Sequence, residues 1–264
     1  MFRLTLCFSA LLLMLATVPG LAQTTTSTAQ PTGVDILNQS LSASGAVNPQ
    51  NPVQSFTATG TITFFWAGDQ VQAPATIRAQ GSGQFRLDAS LPAGTRSVVI
   101  SHNSGARKDA DGKLTQIPAH NTFSMGGSSF PYLSIAAALA DPTVTVSYVG
   151  LVQSGTQQLQ QIRITKSLPQ DQDPQGIVAK LSPTDYFVDS QTNLVVKTTD
   201  VTHPIQTLTE SYPREIDFEN YSPMSGVAVP TLVREKIAGQ TIWEFSLSGI
   251  TFNTSLTDSD FSVQ

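Results

Sequence analysis

The chain of 264 residues has little charge and almost no cysteine. Charged residues make up 12% of it, where about 25% is usual. Fourteen Lys and Arg stand against nineteen Asp and Glu, for a net charge of −5. Nucleic-acid binding needs clustered basic charge, and this balance excludes it. A single cysteine rules out a disulfide framework and any multi-cysteine zinc or iron–sulfur site. There is no Gly-x-Ser-x-Gly elbow, no phosphate-binding loop and no dinucleotide fingerprint. His102, His120 and His203 lie far apart and read as isolated imidazoles on loops or strand ends. Asp109-Ala110-Asp111-Gly112 starts like a calcium loop but lacks the later acceptors and the closing Glu, so it reads as a hairpin tip. No combination of nucleophile, base and oxyanion donors stands out at any spacing, so the chain reads as a non-enzyme with no cofactor and no metal.

What is present begins with an address. Arg3 is a short positive start, Leu4 to Val18 is apolar, and Pro19-Gly20-Leu21-Ala22 supplies small residues. This is the pattern of a secretory signal peptide cut after Ala22. The apolar run falls short of the roughly 20 residues that span a bilayer. Cys7 lies inside the removed segment, so the mature chain carries no cysteine. No other stretch is apolar for long enough to span, so no membrane span is expected in the mature chain. Gln23 to Pro31 reads as a flexible leader, and residues 32–264 as one domain, because no shift in composition marks a second.

Thr32 to Ala46 places Val34, Ile36, Leu37 and Leu41 at helical spacing between Thr32 and Gly45, and predicts an amphipathic helix. Beyond Pro52 the period becomes two. Thr59–Trp66, Gln84–Leu91, Arg96–Ser101, Thr143–Leu151, Gln157–Thr165, Asp185–Asp189, Leu194–Thr202, Glu215–Tyr221, Val227–Ile237 and Thr241–Phe252 read as antiparallel strands. Gln191-Thr192-Asn193 and Ala238-Gly239-Gln240 read as hairpin turns. Pro131 to Ala140 has the best helix propensity in the chain. Asp258-Ser259-Asp260 reads as a solvated strand end. The fold class is mainly β, with about ten strands and two helices.

Two C-terminal stretches carry a resemblance. Asp185-Tyr186-Phe187-Val188-Asp189-Ser190-Gln191-Thr192-Asn193-Leu194-Val195-Val196-Lys197 resembles the strand–turn–strand in which LolA/LolB-type bacterial lipoprotein carriers place an acidic residue before a turn. Phe218-Glu219-Asn220-Tyr221-Ser222-Pro223-Met224-Ser225-Gly226-Val227-Ala228-Val229-Pro230 is similar to a hairpin of the same family, and Phe252-Asn253 with Asp258-Ser259-Asp260-Phe261 is similar to its closing segment. The resemblance covers about the last eighty residues, and this chain adds a polar loop at Ser167–Pro183. It implies one antiparallel sheet curled into an open half-barrel, helices in its mouth, a concave apolar surface for acyl chains, and a periplasmic location.

With that fold, the apolar strand faces become a cavity wall. Ile62, Phe64, Trp66, Phe85, Leu87, Val98, Ile100, Val144, Val146, Tyr148, Ile162 and Ile164 are the expected ligand-binding residues. Tyr132, Leu133, Ile135 and Leu139 belong to a candidate lid, with Gly126 and Gly127 as its hinge. The expected role is a periplasmic carrier of lipid or lipoprotein acyl chains, monomeric, with a lipid or acylated protein as cargo and an envelope protein as a further partner. A secreted β-sandwich that binds carbohydrate or protein, and a structural envelope protein, stay open as alternatives.

Overall fold

The structure, a computed structural model, describes residues 31–66, 68–102, 104–122 and 130–262. The signal peptide, all of the leader before Pro31 and the Gly126-Gly127 hinge lie outside these described residues. Helix α1 spans Gly33–Ser44. Thr32 opens it with a capping box: the Thr32 hydroxyl accepts from the Asp35 amide, and the Asp35 carboxylate accepts from the Thr32 amide. Gly45 closes it at φ 73°, and a Cβ there would stand 2.4 Å from the Gly226 carbonyl oxygen. Both the left-handed backbone and the close approach require glycine. Ile36, Leu37 and Leu41 form the buried face, each contributing about 1.5–3 kcal/mol on full burial.

The strands are β1 (Ser55–Trp66), β2 (Asp69–Gln80), β3 (Gln84–Leu91), β4 (Gly94–Ser101), β5 (Ser104–Lys108) and β6 (Leu114–Ile117), followed by short helix α2 (Ala119–Thr122) and helix α3 (Pro131–Ala140). Then come β7 (Val144–Ser154), β8 (Gln157–Lys166), short helix α4 (Ile177–Leu181), β9 (Thr184–Asp189), β10 (Val195–Thr202), β11 (Tyr212–Met224), β12 (Val227–Ile237) and β13 (Gln240–Phe252). All thirteen strands belong to one antiparallel sheet, in the order β6-β5-β4-β3-β2-β1-β13-β12-β11-β10-β9-β8-β7. Two meanders meet where β1 pairs with β13, Phe56 opposite Phe252 and Phe64 opposite Trp243. Strands β6 and β7 therefore lie at opposite edges, and the connection between them carries α2 and α3. A single sheet overturns the sandwich alternative.

The sequence reading gives ten strands; β2, β5 and β6 are the additions. In β2 the buried positions are Ala73, Ala75, Ile77 and Ala79, three of them too small to announce an apolar face. Pro74 also argues against a strand. It lies opposite Thr61 of β1 and just beyond the end of the β2–β3 pairing, which runs from Ala75 to Gln80, so on the β3 side no ladder bond is lost. Strands β5 and β6, of five and four residues, are too short to show a period.

The sheet curls. Nine strand steps separate β6 from β10, about 43 Å in a flat sheet at about 4.8 Å per step. Yet Asn121, just past β6, grips the chain just past β10. Its Nδ2 donates to the His203 carbonyl at 2.7 Å, and its Oδ1 accepts from the His203 amide at 2.9 Å. The turns follow the residues the sequence offers. Asp189 Oδ1 accepts from the amides of Gln191 and Thr192, and Asn193 takes φ 57°. Ser225-Gly226 and Ala238-Gly239 each carry two positive φ values, as tight hairpin turns with right-handed twist require.

The convex face is polar. Arg234 bridges Glu219 and Glu244, and Lys236 bridges Glu215 and Asp217. The Asp258–Phe261 segment is not a solvated strand end: it is a 3-10 turn against β3 and β4, with Phe261 buried. Arg86 Nη1 holds it by donating to the carbonyls of Asp260 and Ser262 at 3.1 and 2.9 Å. At the end of α3, Asp141 accepts from the Thr143 amide and hydroxyl and from Lys166 Nζ, tying the helix to β7 and β8.

Two measurements test this frame. Gly60 sits at the irregularity of the β1–β13 seam, where a Cβ would fall 2.2 Å from the Ser246 carbonyl oxygen. Gly60→Ala should cost about 1–3 kcal/mol in thermal unfolding, whereas Gly249→Ala, whose Cβ would find its nearest atom at 3.5 Å, should change little. The hydrogen bond from Lys166, with those from Thr143, holds the Asp141 carboxyl at about 2. Its folded pKa lies below the unfolded one, so its contribution is complete above the ordinary carboxylate value and fades as pH falls toward 2. Asp141→Asn should flatten that part of the acid limb in melts recorded between about pH 2 and 5.

Candidate ligand cavity

The inner face of the curled sheet is divided into two halves. Helix α1 lies on β7, β8 and β12 and touches α3. It lies so close that a Cβ on Gly33 would meet the backbone of Ser147 and Tyr148 at 3.0 Å. Val144, Val146 and Tyr148 pack against the core, and Ile162 and Ile164 are inside it. Helix α3 buries Tyr132, Leu133 and Ile135, with Leu139 half-buried against the same core. The Tyr132 hydroxyl lies 3.5 Å from that of Tyr221, which donates to the Val195 carbonyl at 2.5 Å. The residues expected to form a lid thus pack as core on this half.

The other half is left open. Ile62, Phe64, Phe85, Leu87 and Val98 line a cavity of about 260 Å³. Ile100 is buried beside them but does not reach its wall. Trp66, 40% exposed, stacks on Phe64 at 5.3 Å with the rings nearly parallel. Ile117, Pro118, Ile205, Ile237, Ile242 and Trp243 complete the apolar wall. Five of the twelve expected wall residues therefore meet at one cavity, and the five from β7 and β8 do not.

Sequence reasoning missed every charged residue of the wall. Arg214 on β11 is directly opposite Asp200 on β10 and pairs with it through two bonds, Nε to Oδ1 at 2.8 Å and Nη2 to Oδ2 at 2.5 Å. Glu235, diagonal to Arg214 on β12, lies 3.6 Å from its Nη1 and takes a hydrogen bond from Trp243. Burial works against the Arg214 charge, but Asp200 and Glu235 outweigh it and raise its pKa. Burial pushes the Glu235 carboxyl up, more than Arg214 pulls it down. Arg214, Glu235 and Asp200 all project inward because they keep the period-two phase of Ile216 and Val233, a signal the sequence does contain. What the sequence does not reveal is that the three charges meet, since that depends on the register of β10, β11 and β12.

At the other end, the Arg96 guanidinium lies over the rings of Phe64 and Trp66, at 4.7 and 5.0 Å from their centres. Burial, and then the neighbouring Arg107, draw its pKa below the usual arginine value, and Asp109 offsets part of this. Asp109 lies 3.8 Å from Arg96 Nε and 3.2 Å from Arg107 Nε. Asn121 also lines the cavity, so its clasp on His203 is part of the wall. The clasp brings together two histidines that the sequence leaves apart: the rings of His120 and His203 meet edge-on at 5.6 Å. Burial, with His203 beside it, lowers the pKa of His120. Among the described residues no group of three or more His, Cys, Asp or Glu could hold a metal ion, and no helix is long and apolar enough to cross a membrane.

No protein-family model matches the chain, and no curated protein matches its sequence. Solved structures do match in shape. A LolA superfamily protein from Nitrosomonas europaea aligns over 89% of this chain and 99% of its own, with a TM-score of 0.56 at 11% identity. A domain from Vibrio parahaemolyticus, named provisionally as an outer membrane lipoprotein-sorting protein, aligns over 87% and 95% with a TM-score of 0.54 at 13% identity. A DUF1329 family protein from Desulfovibrio piger aligns over 87% and 95% with a TM-score of 0.53 at 11% identity. The chain has the LolA-like fold, an open curled half-barrel.

The clasp gives a direct test. Asn121→Ala removes the bonds to both backbone groups of His203, at a cost of about 1–3 kcal/mol. Hydrogen exchange at the His203 amide and along β6 should accelerate while β1 and β13 stay protected. Asn121→Asp, which keeps the acceptor and loses the donor, should fall between the two.

Proposed function

We propose that this protein is a non-enzymatic carrier that holds an acyl chain, or a group of similar shape, in the cavity of its half-barrel. One observation carries the reading. Helix α1 covers β7, β8 and β12 and α3 packs on α1 and β7, while the apolar surface of β1, β3, β4 and β6 faces a cavity. A protein that needed this surface only for stability would fill it, because an unfilled cavity forfeits packing. At about 260 Å³, it lies just below the range of about 300–1,000 Å³ usual for small-molecule pockets, which suits one chain. Each methylene brought in from water contributes about 0.8 kcal/mol. The name of the Vibrio parahaemolyticus domain agrees with cargo of this kind. The signal-peptide pattern ahead of residue 23 agrees with work in the bacterial periplasm, by residues 32–264 acting as one monomeric domain. Among the described residues that line this cavity, each charged group is engaged with another charge or with aromatic rings.

Native mass spectrometry of the protein purified from its own source, with organic extraction of what co-purifies, tests the reading. A mass excess that matches a lipid or an acylated peptide is the expected result. A bare mass that persists after incubation with lipid would sink it. Trp243 lines the cavity, so its fluorescence should shift to the blue on loading, and Trp66→Phe leaves it as the sole reporter. Ile117→Glu, at a half-buried wall position, should weaken loading at least about tenfold with little change in the melt.

A further inference from the structure

The cavity contains one cation without a hydrogen-bonding partner among the described residues. Of the seven arginines among the described residues, six donate to a carboxylate or a backbone carbonyl. Arg96 donates to none. Its Nε is buried without an acceptor, and the nearest carboxylate oxygen, on Asp109, is 3.8 Å away. That carboxylate is shared with Arg107, whose Nε is closer, at 3.2 Å. Two guanidiniums with one carboxylate leave a net positive charge at this end of the cavity. Arg96 is also held in place: its side chain is only 17% exposed, and its guanidinium rests on Phe64 and Trp66. A fixed planar fork of donors at an apolar wall matches a carboxylate or phosphate, which it can bind through two parallel hydrogen bonds. The far end offers no such site, because Arg214 is saturated by Asp200 and Glu235.

We infer that the cavity receives a single-chain amphiphile with an anionic head, the chain lying against Ile62, Phe85, Leu87 and Ile117 and the head bound by Arg96 with Arg107 beside it. This rests on the carrier reading and adds the ligand's charge. Carboxylate and phosphate heads share the chemistry, and the test separates them.

Calorimetric titration of the protein with decanoate, decyl phosphate, decanol and inorganic phosphate is the experiment, repeated on Arg96→Met and Arg96→Lys. Methionine keeps apolar contact with Phe64 and Trp66 while removing the charge. At least one anionic amphiphile should bind wild type about tenfold or more tighter than decanol does, and the tighter of the two names the head. Arg96→Met should erase that preference, read as the ratio of anion to decanol affinity within the variant, and Arg96→Lys should retain only part of it. Decanol binding as tightly as both anions would overturn the inference and leave the carrier standing. So would an undiminished preference in Arg96→Met. Inorganic phosphate binding as tightly as decyl phosphate would also overturn it, by showing an anion site that ignores the chain. If neither decanol nor the two anionic amphiphiles binds, the carrier reading itself fails. The wild-type series decides even if a variant does not fold.

Discussion

A single sheet with one apolar face has nothing of its own kind to pack against. A sandwich solves that by facing two sheets, and a closed barrel by meeting its own far edge. Here thirteen strands do neither. They curl until the face covers part of itself, and two helices fill one side of the hollow. Every other feature of the molecule answers to that constraint. The outer face carries the ion pairs of Arg234 and Lys236 because it faces water. Phe261 is folded back over β3 and β4. Across the curl a side-chain amide, Asn121, joins chain segments that a flat sheet would keep far apart.

The charged groups of the inner face follow from the same geometry. A charge on that face loses water, and the loss is tolerable only if a partner replaces it. Asp200 and Glu235 do so for Arg214, at hydrogen-bonding and close ionic distances. For Arg96 the replacement is incomplete: two aromatic rings support its face while its edge finds no oxygen close enough. The cavity is thus asymmetric in electrostatics, neutralised at one end and underpaid in negative charge at the other.

How much of this could be read in advance depended on whether the signal was local. Helix α1 was legible to its ends, because Thr32, Asp35 and Gly45 act within a few residues of one another. Strand β3 was legible to the residue, through strict alternation over Gln84–Leu91. Strand β2 was not, because alanines that pack well in a crowded sheet look like no signal in sequence. The hollow was half legible. Phe64 and Leu87 reach the cavity while Val146 and Ile162 meet a helix, although all four read as inward positions. Which part of a face is covered depends on where α1 lands, and α1 carries no mark of its destination. The approach of His120 to His203 was hidden for the same reason, since the sheet must curl before they meet.

The β1–β13 pairing sets an order of assembly. The hydrogen bond from the Gln54 amide to Asn253 Oδ1, at the end of this seam, closes a span of 199 residues. Contacts of such separation form slowly, because the loop must close before the contact rewards it. Until β13 arrives, all twelve residues of β1 present a bare flank to any strand nearby. The middle of this sheet, rather than its rim, is therefore the part completed last. The first meander waits, half-paired, for the end of the chain to be made, and what shields that flank in the interval decides how much of the protein reaches its fold.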